Sequence, residues 1–233
     1  PITTLAEELQ RPEQFCGIHF FNPVRKMQLV EVIRGQQTSD ETVATAVAYI
    51  KQIGKLPIVV NDGPGFLVNR LLFPYMNESI VLLCEGVSIE QIERAAKDFG
   101  MPMGPITLYD VVGIDTAVYA GRNIYEAFPD RCVVSPLLPA MVKSGRLGQK
   151  SRQGFFKYGK KKKRGEFDPQ FEEFLQPFVR ESEELTLEQI TARLFMPMLL
   201  EATRVIEEGL VRNVRDVDLG LIFGIGFPPF KGG

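Results

Sequence analysis

The chain has 233 residues, 45% hydrophobic and 24% charged, an ordinary composition for one or two globular domains with a substantial core. A net charge of −2 and a pI near 5.7 argue against nucleic acid as the main partner. No stretch approaches the roughly 20 apolar residues of a membrane span and no signal peptide is evident. Three scattered cysteines (Cys16, Cys84, Cys132) share no metal-ligand spacing with the lone histidine, which predicts free thiols, a cytoplasmic location and no metal centre.

In chain order, Thr4 and Glu7 are spaced as a capping box for a short helix through Arg11. Cys16–Phe21 and Met27–Ile33 are rich in β-formers and flank the turn signal Asn22-Pro23. Ser39 starts a helix to about Ile53 that Gly54 closes, and Leu56–Val60 is a third strand. These elements predict the end of an α/β sheet, incomplete because three short strands leave exposed edges. After Asp62-Gly63-Pro64-Gly65 the pattern turns helical: Phe66–Leu83, with Pro74 expected to kink it near Arg70, then Ser88–Lys97. Gly100–Pro105 reads as a rigid loop, Ile114–Glu126 and Pro136–Lys143 as helices, and Gly145–Gly154 as a basic loop entering an extended Phe155–Tyr158. Residues 160–184 read as a linker whose basic run, Lys160–Arg164, is a solvated loop. Thr186 with Gln189 then caps a long helix to Glu208 that contains Pro197.

The two long helices repeat one another. Arg70-Leu71-Leu72-Phe73-Pro74 is echoed by Arg193-Leu194-Phe195-Met196-Pro197, and at the same offset Glu78 and Glu85-Gly86 match Glu201 and Glu208-Gly209. One residue later in register, Phe99-Gly100 matches Phe223-Gly224. A shared core periodicity would not demand matched prolines, so the pattern predicts two tandem helical units, the second truncated. The chain opens at Pro1 without methionine and closes on Lys231-Gly232-Gly233, the ends expected of a processed or truncated product.

His19 is the one side chain suited to proton exchange near neutral pH, and it stands at a strand end beside a turn, although a lone histidine on an apolar strand is also common as a core or edge residue. Alternation places Glu31 on one face with Leu29 and Ile33, among apolar neighbours where a carboxylate needs a partner. A hairpin around Asn22–Lys26 would bring it to His19, where it could hold the ring's tautomer; otherwise it faces solvent on an edge strand. Asn69, at the start of the long helix, could cap that helix, the reading its spacing favours, or hydrogen-bond a substrate carbonyl. No Gly-x-Gly-x-x-Gly follows a strand, so the residues alone yield an acid/base pair without a nucleotide fingerprint.

The run Gly17-Ile18-His19-Phe20-Phe21-Asn22-Pro23-Val24 and Leu29–Ile33 resembles the signature of 3-hydroxyacyl-CoA dehydrogenases. The likeness continues through Pro64–Arg70, Pro102–Pro105, Asp110–Asp115 and Gly145–Lys150. The second unit, ending Gly224–Phe230, is similar to the multifunctional branch, the α-subunits of bacterial fatty-acid β-oxidation complexes. The resemblance implies a mainly α fold with a partial α/β segment. Residues 1–61 would be the C-terminal part of a Rossmann-like NAD-binding domain, and 62–159 a first helical unit of the 6-phosphogluconate-dehydrogenase C-terminal kind. Residues 160–184 would be the linker and 185–233 the second, truncated unit. It implies NAD-dependent oxidation of an L-3-hydroxyacyl-CoA to the 3-ketoacyl-CoA, with His19 as catalytic base and Glu31 orienting it. Asn69 would bind substrate, Asn22 would meet the nicotinamide end of NAD, and Phe223 would stand where α-subunits can carry a substrate-contacting tyrosine. The Gly-rich fingerprint, a Ser-Asn-Thr-Ser run and a hydratase domain are expected ahead of Pro1. A homodimer or a thiolase subunit is the implied partner. Two rival readings are a non-catalytic helical module for dimerisation or assembly, and a related dehydrogenase acting on another acid.

Overall fold

The computed structural model describes residues 1–159, 165–180 and 184–232. They form two compact units, Pro1–Leu72 with Leu199–Gly233, and Phe73–Met198.

The first unit begins with α1 (Ile2–Ala6), which Pro1 rather than a Thr4–Glu7 box precedes and which ends well short of Arg11. Strands β1 (Gly17–Phe20) and β2 (Leu29–Arg34) pair antiparallel, and β3 (Leu56–Asn61) joins β2 in parallel after the crossover helix α2 (Asp40–Gln52). The parallel step requires a crossover, and the helix signals of the sequence supply it: Ser39 accepts from the Thr42 amide at the start and Gly54 takes a positive φ after the end. As the central strand, β2 is buried on both faces, which is why it reads as an almost unbroken apolar run. Val30 and Val32 pack on Val43, Ala46 and Ile50 of α2, while Leu29, Glu31 and Ile33 occupy the opposite face. At the end of β3, the Asn61 amide donates to the Leu210 carbonyl (2.8 Å) and its side chain to the Gly209 carbonyl (2.7 Å), so chain from the far C-terminal region completes this unit.

Helix α3 (Val68–Cys84) starts in the first unit and continues without interruption through Pro74 into the second. There follow α4 (Ile89–Phe99), with the reciprocal Ser88–Gln91 capping box, then α5 (Pro105–Val112), α6 (Ile114–Ala127) and α7 (Leu137–Lys143). Helix α5 is absent from the sequence expectation. Its first residue is Pro105, assigned there to a loop, but a proline at the first helical position lacks an N–H the helix would not have used.

Phe155–Tyr158 is not a strand. It makes only isolated bridges and folds around Asp110, whose carboxylate accepts from the Phe155 and Phe156 amides and the Tyr158 hydroxyl. The expected linker is structured over 165–180. Asp168, paired with Arg146 at 2.9 Å, opens α8 (Pro169–Leu175), and Phe171 is buried. The basic run 160–164 lies outside the described residues. Helix α9 (Leu187–Glu207) carries the expected Thr186–Gln189 box, and α10 (Val214–Gly220) runs into a π-helical turn, Leu221–Ile225. Among the described residues no helix is long and apolar enough to cross a membrane.

Candidate active site

Antiparallel pairing sets His19 directly opposite Glu31, and His19 Nδ1 lies 2.6 Å from Glu31 Oε2. Glu31 is fully buried, so its charge must be met by donors. Its second oxygen, Oε1, accepts from the backbone amides of Leu67 (3.0 Å) and Val68 (2.9 Å). Those amides lie at the start of α3, where the first N–H groups have no partner within the helix and the dipole favours an anion. An ionised carboxylate only accepts, so with Glu31 ionised Nδ1 carries the proton and Nε2 presents a lone pair. The His19 side chain keeps 30% of its surface exposed, and its ring is flanked by Phe21 (centroids 4.6 Å apart) and Phe66 (5.6 Å).

The approach of the α3 amides to β2 depends on an unusual turn. Gly65 and Phe66 both have positive φ, 76° and 50°, and the second is uncommon for a side chain of that size. Strain of this kind persists where the surroundings over-determine it, and here it coincides with the donors to Glu31.

Asn69 is the next residue after the two amide donors. Its half-buried amide makes no hydrogen bond with a described residue, so the capping role favoured by its spacing is not what it does. Asn22 is exposed just past β1. Phe223 lies in the π-helical turn, about a third exposed, beside Gly224, which abuts Val68. The structure thus brings His19 and Glu31 into contact and sets Asn69 one residue from their support, whereas Asn22 and Phe223 make no hydrogen bond or ring contact with either. The sequence reading missed the Leu67 and Val68 amides and the two aromatic walls. Their signal is the Gly63-Pro64-Gly65 break immediately before an apolar helix. The described residues contain no cluster of His, Cys, Asp and Glu able to hold a metal.

Residues 1–63 match the family model of the 3-hydroxyacyl-CoA dehydrogenase NAD-binding domain, and residues 65–158 that of the C-terminal domain. The α-subunit of the fatty acid oxidation complex from Pseudomonas aeruginosa is 50% identical over 100% of this chain and 33% of its own length. The chain thus spans about a third of the curated relatives it matches. Among solved structures, 3-hydroxybutyryl-CoA dehydrogenase from Escherichia coli aligns with TM-score 0.82 and 25% identity, covering 97% of this chain and 64% of that one. The dehydrogenase part of multifunctional enzyme 1 from C. elegans aligns with TM-score 0.69 and 32% identity, covering 98% and 52%. With both domain models matched in order and the whole chain aligned to a relative at half identity, the chain belongs to the 3-hydroxyacyl-CoA dehydrogenase family.

Proposed function

We propose that this chain supplies the acid/base centre of an NAD-dependent L-3-hydroxyacyl-CoA dehydrogenase of fatty-acid β-oxidation. The observation that carries the reading is the short His19–Glu31 contact, held from behind by two helix amides. His19 Nε2 takes the proton of the substrate 3-hydroxyl as hydride leaves C3, and C3 becomes a ketone carbon. The imidazolium so formed sits against the buried Glu31 carboxylate, which stabilises it and keeps the ring oriented. Asn69, whose side chain makes no hydrogen bond with a described residue, holds the hydroxyl or thioester region of the acyl-CoA, and Phe223 forms an apolar edge for it.

When bound, NAD supplies the acceptor for that hydride. The residues present fit its reactive end only. Asn22 is exposed at the end of β1 on the His19 strand and can meet the nicotinamide amide, whereas no Gly-x-Gly-x-x-Gly follows a strand in these residues to cradle a pyrophosphate.

The matched prolines and glutamates of α3 and α9 support two tandem helical units of the 6-phosphogluconate-dehydrogenase C-terminal kind. We place the protein in the cytoplasm, working as a homodimer or with a thiolase subunit, a reading supported by the named complex of its relatives. The rival reading, a non-catalytic assembly module, accounts for the Glu31–amide contacts as a helix cap but gives no role to the part-exposed imidazole held 2.6 Å from the carboxylate.

Replacement of His19 by Gln in a full-length enzyme carrying these residues separates the two. With acetoacetyl-CoA and NADH followed by absorbance, the variant is expected to lose about 10³-fold in kcat with an unchanged melting temperature. Full activity in that variant would remove His19 from the chemistry.

A further inference from the structure

Glu31 can orient His19 only while the Leu67 and Val68 amides stay in place, and residues from the C-terminal end of the chain converge on that turn. Arg70, fully enclosed, donates from Nε to Glu201 (2.6 Å) and from Nη2 to Glu208 (2.6 Å), both near the end of α9. Gly220 abuts Leu67 so closely that a Cβ there would lie 2.9 Å from Leu67 Cδ2. A Cβ on Gly224, in the π-helical turn, would lie 2.8 Å from both methyl groups of Val68 and 3.2 Å from Leu29 Cδ2, on the Glu31 face of β2. Leu67, Val68 and Arg70 fall within one helical turn, so these contacts act on the two amides that hold Glu31 and on the backbone next to them.

A buried ion pair contributes little net stability compared with an apolar pair of the same shape, because desolvation offsets the Coulomb gain. A forked guanidinium between two carboxylates does fix direction. Hydrogen bonds to a carboxylate weaken within a few tenths of an ångström, and misplacement of reacting groups by about 1 Å can cost 10²-fold in rate.

We infer that Arg70, with Glu201, Glu208 and Gly224, is a positioning device for the candidate active site: it clamps the first turn of α3 so that the Leu67 and Val68 amides hold Glu31, and through it His19, in register. None of these side chains touches the reacting atoms. The inference rests on the dehydrogenase reading for its kinetic consequence but not for its structural one.

The chain contains its own control. Arg193 makes the same kind of fork, to Glu78 (Nε–Oε1 2.7 Å) and to Glu85, entirely within the second unit, whereas the amides that hold Glu31 belong to the first. In a full-length enzyme, Arg70→Lys, Glu208→Gln, Gly224→Ala and Arg193→Lys are compared by steady-state kinetics with acetoacetyl-CoA and by amide hydrogen exchange over residues 64–70. Lysine retains the charge but lacks the planar fork that aims Nε and Nη2 at separate carboxylates, and Glu208→Gln and Gly224→Ala are mild enough to fold should Arg70→Lys fail. The expected result is a fall in kcat of about 10- to 100-fold for the Arg70 and Gly224 variants, a smaller fall for Glu208→Gln, and KM within about two-fold of wild type throughout. Exchange at Leu67 and Val68 rises in the same order. Arg193→Lys lowers the melting temperature without changing kcat or that exchange. Equal kcat losses for Arg70→Lys and Arg193→Lys would reduce the clamp to general stability and overturn the inference, as would unchanged exchange at Leu67 and Val68. A wild-type enzyme without turnover would remove the dehydrogenase reading, while the exchange comparison would still decide the clamp.

Discussion

Glu31 satisfies three donors with two oxygens, and which oxygen faces which donor determines the chemistry available at His19. Glutamine in its place keeps the shape but offers one acceptor and one donor group. If its oxygen goes to the two amides, its NH2 faces Nδ1 and forces the ring to accept there, which moves the proton to Nε2, the wrong nitrogen for abstracting a hydroxyl proton. Glu31→Gln should therefore lower kcat for hydroxyacyl oxidation by about 10²- to 10⁴-fold with little loss of substrate affinity. Glu31→Ala should do the same and also destabilise by about 1–3 kcal/mol, because two buried amides lose their acceptor. Kinetics and urea unfolding on the two variants separate these effects. If Glu31→Gln kept wild-type kcat, tautomer control by this residue would be excluded.

The elements that local pattern determines were legible in the sequence. Alternation in Met27–Ile33 set the face of Glu31 but left its meeting with His19 conditional on a hairpin, which the β1–β2 pairing supplies, and Ser39, Ser88 and Thr186 placed the starts of α2, α4 and α9. What the pattern could not carry was long-range. Two of the three partners of Glu31 are backbone amides 36 and 37 residues on, and backbone amides leave no trace in side-chain identity. The loop around Asp110 failed for a related reason. Its aromatic residues read as a short extended segment, and their amides are used by one buried carboxylate rather than by a ladder.

That carboxylate gives the loop a titration of its own. Burial pushes Asp110 up to about 6, against the pull of the Phe155 and Phe156 amides, the Tyr158 hydroxyl and Arg146. A carboxyl whose folded value exceeds its unfolded value stabilises the fold fully below about pH 4, and that contribution is lost as pH rises through about 6. The loss from this group is on the order of 3 kcal/mol. Asp110→Asn should be less stable than wild type at pH 4.5, since either the Phe155 or the Phe156 amide loses its acceptor, and the gap should narrow towards pH 7. Urea midpoints across that range test it; a gap that widens with pH would reverse the sign of the Asp110 shift.

At the scale of the whole molecule, the first compact unit is discontinuous in sequence: Pro1–Leu72 is completed by Leu199–Gly233. Its contacts therefore close a very long loop, and chain-closure entropy must be recovered by the few places where the ends meet. Those places are identifiable. Gly209 and Leu210 carbonyls receive both donors of Asn61 at the end of β3, and Gly220 and Gly224 bring α10 and its π-helical turn against Leu67, Val68 and Leu29. A chain ending after Glu208 keeps the acidic partners of Arg70 and all of the second unit but loses every one of these. Hydrogen exchange should then show protection lost over β3 and the Asp62–Val68 turn, with α4 and the loop around Asp110 still protected as in the intact chain. Loss of protection in both regions together would mean that the two units unfold as one cooperative block, and retention in both would mean that the C-terminal segment is dispensable to the unit that carries His19.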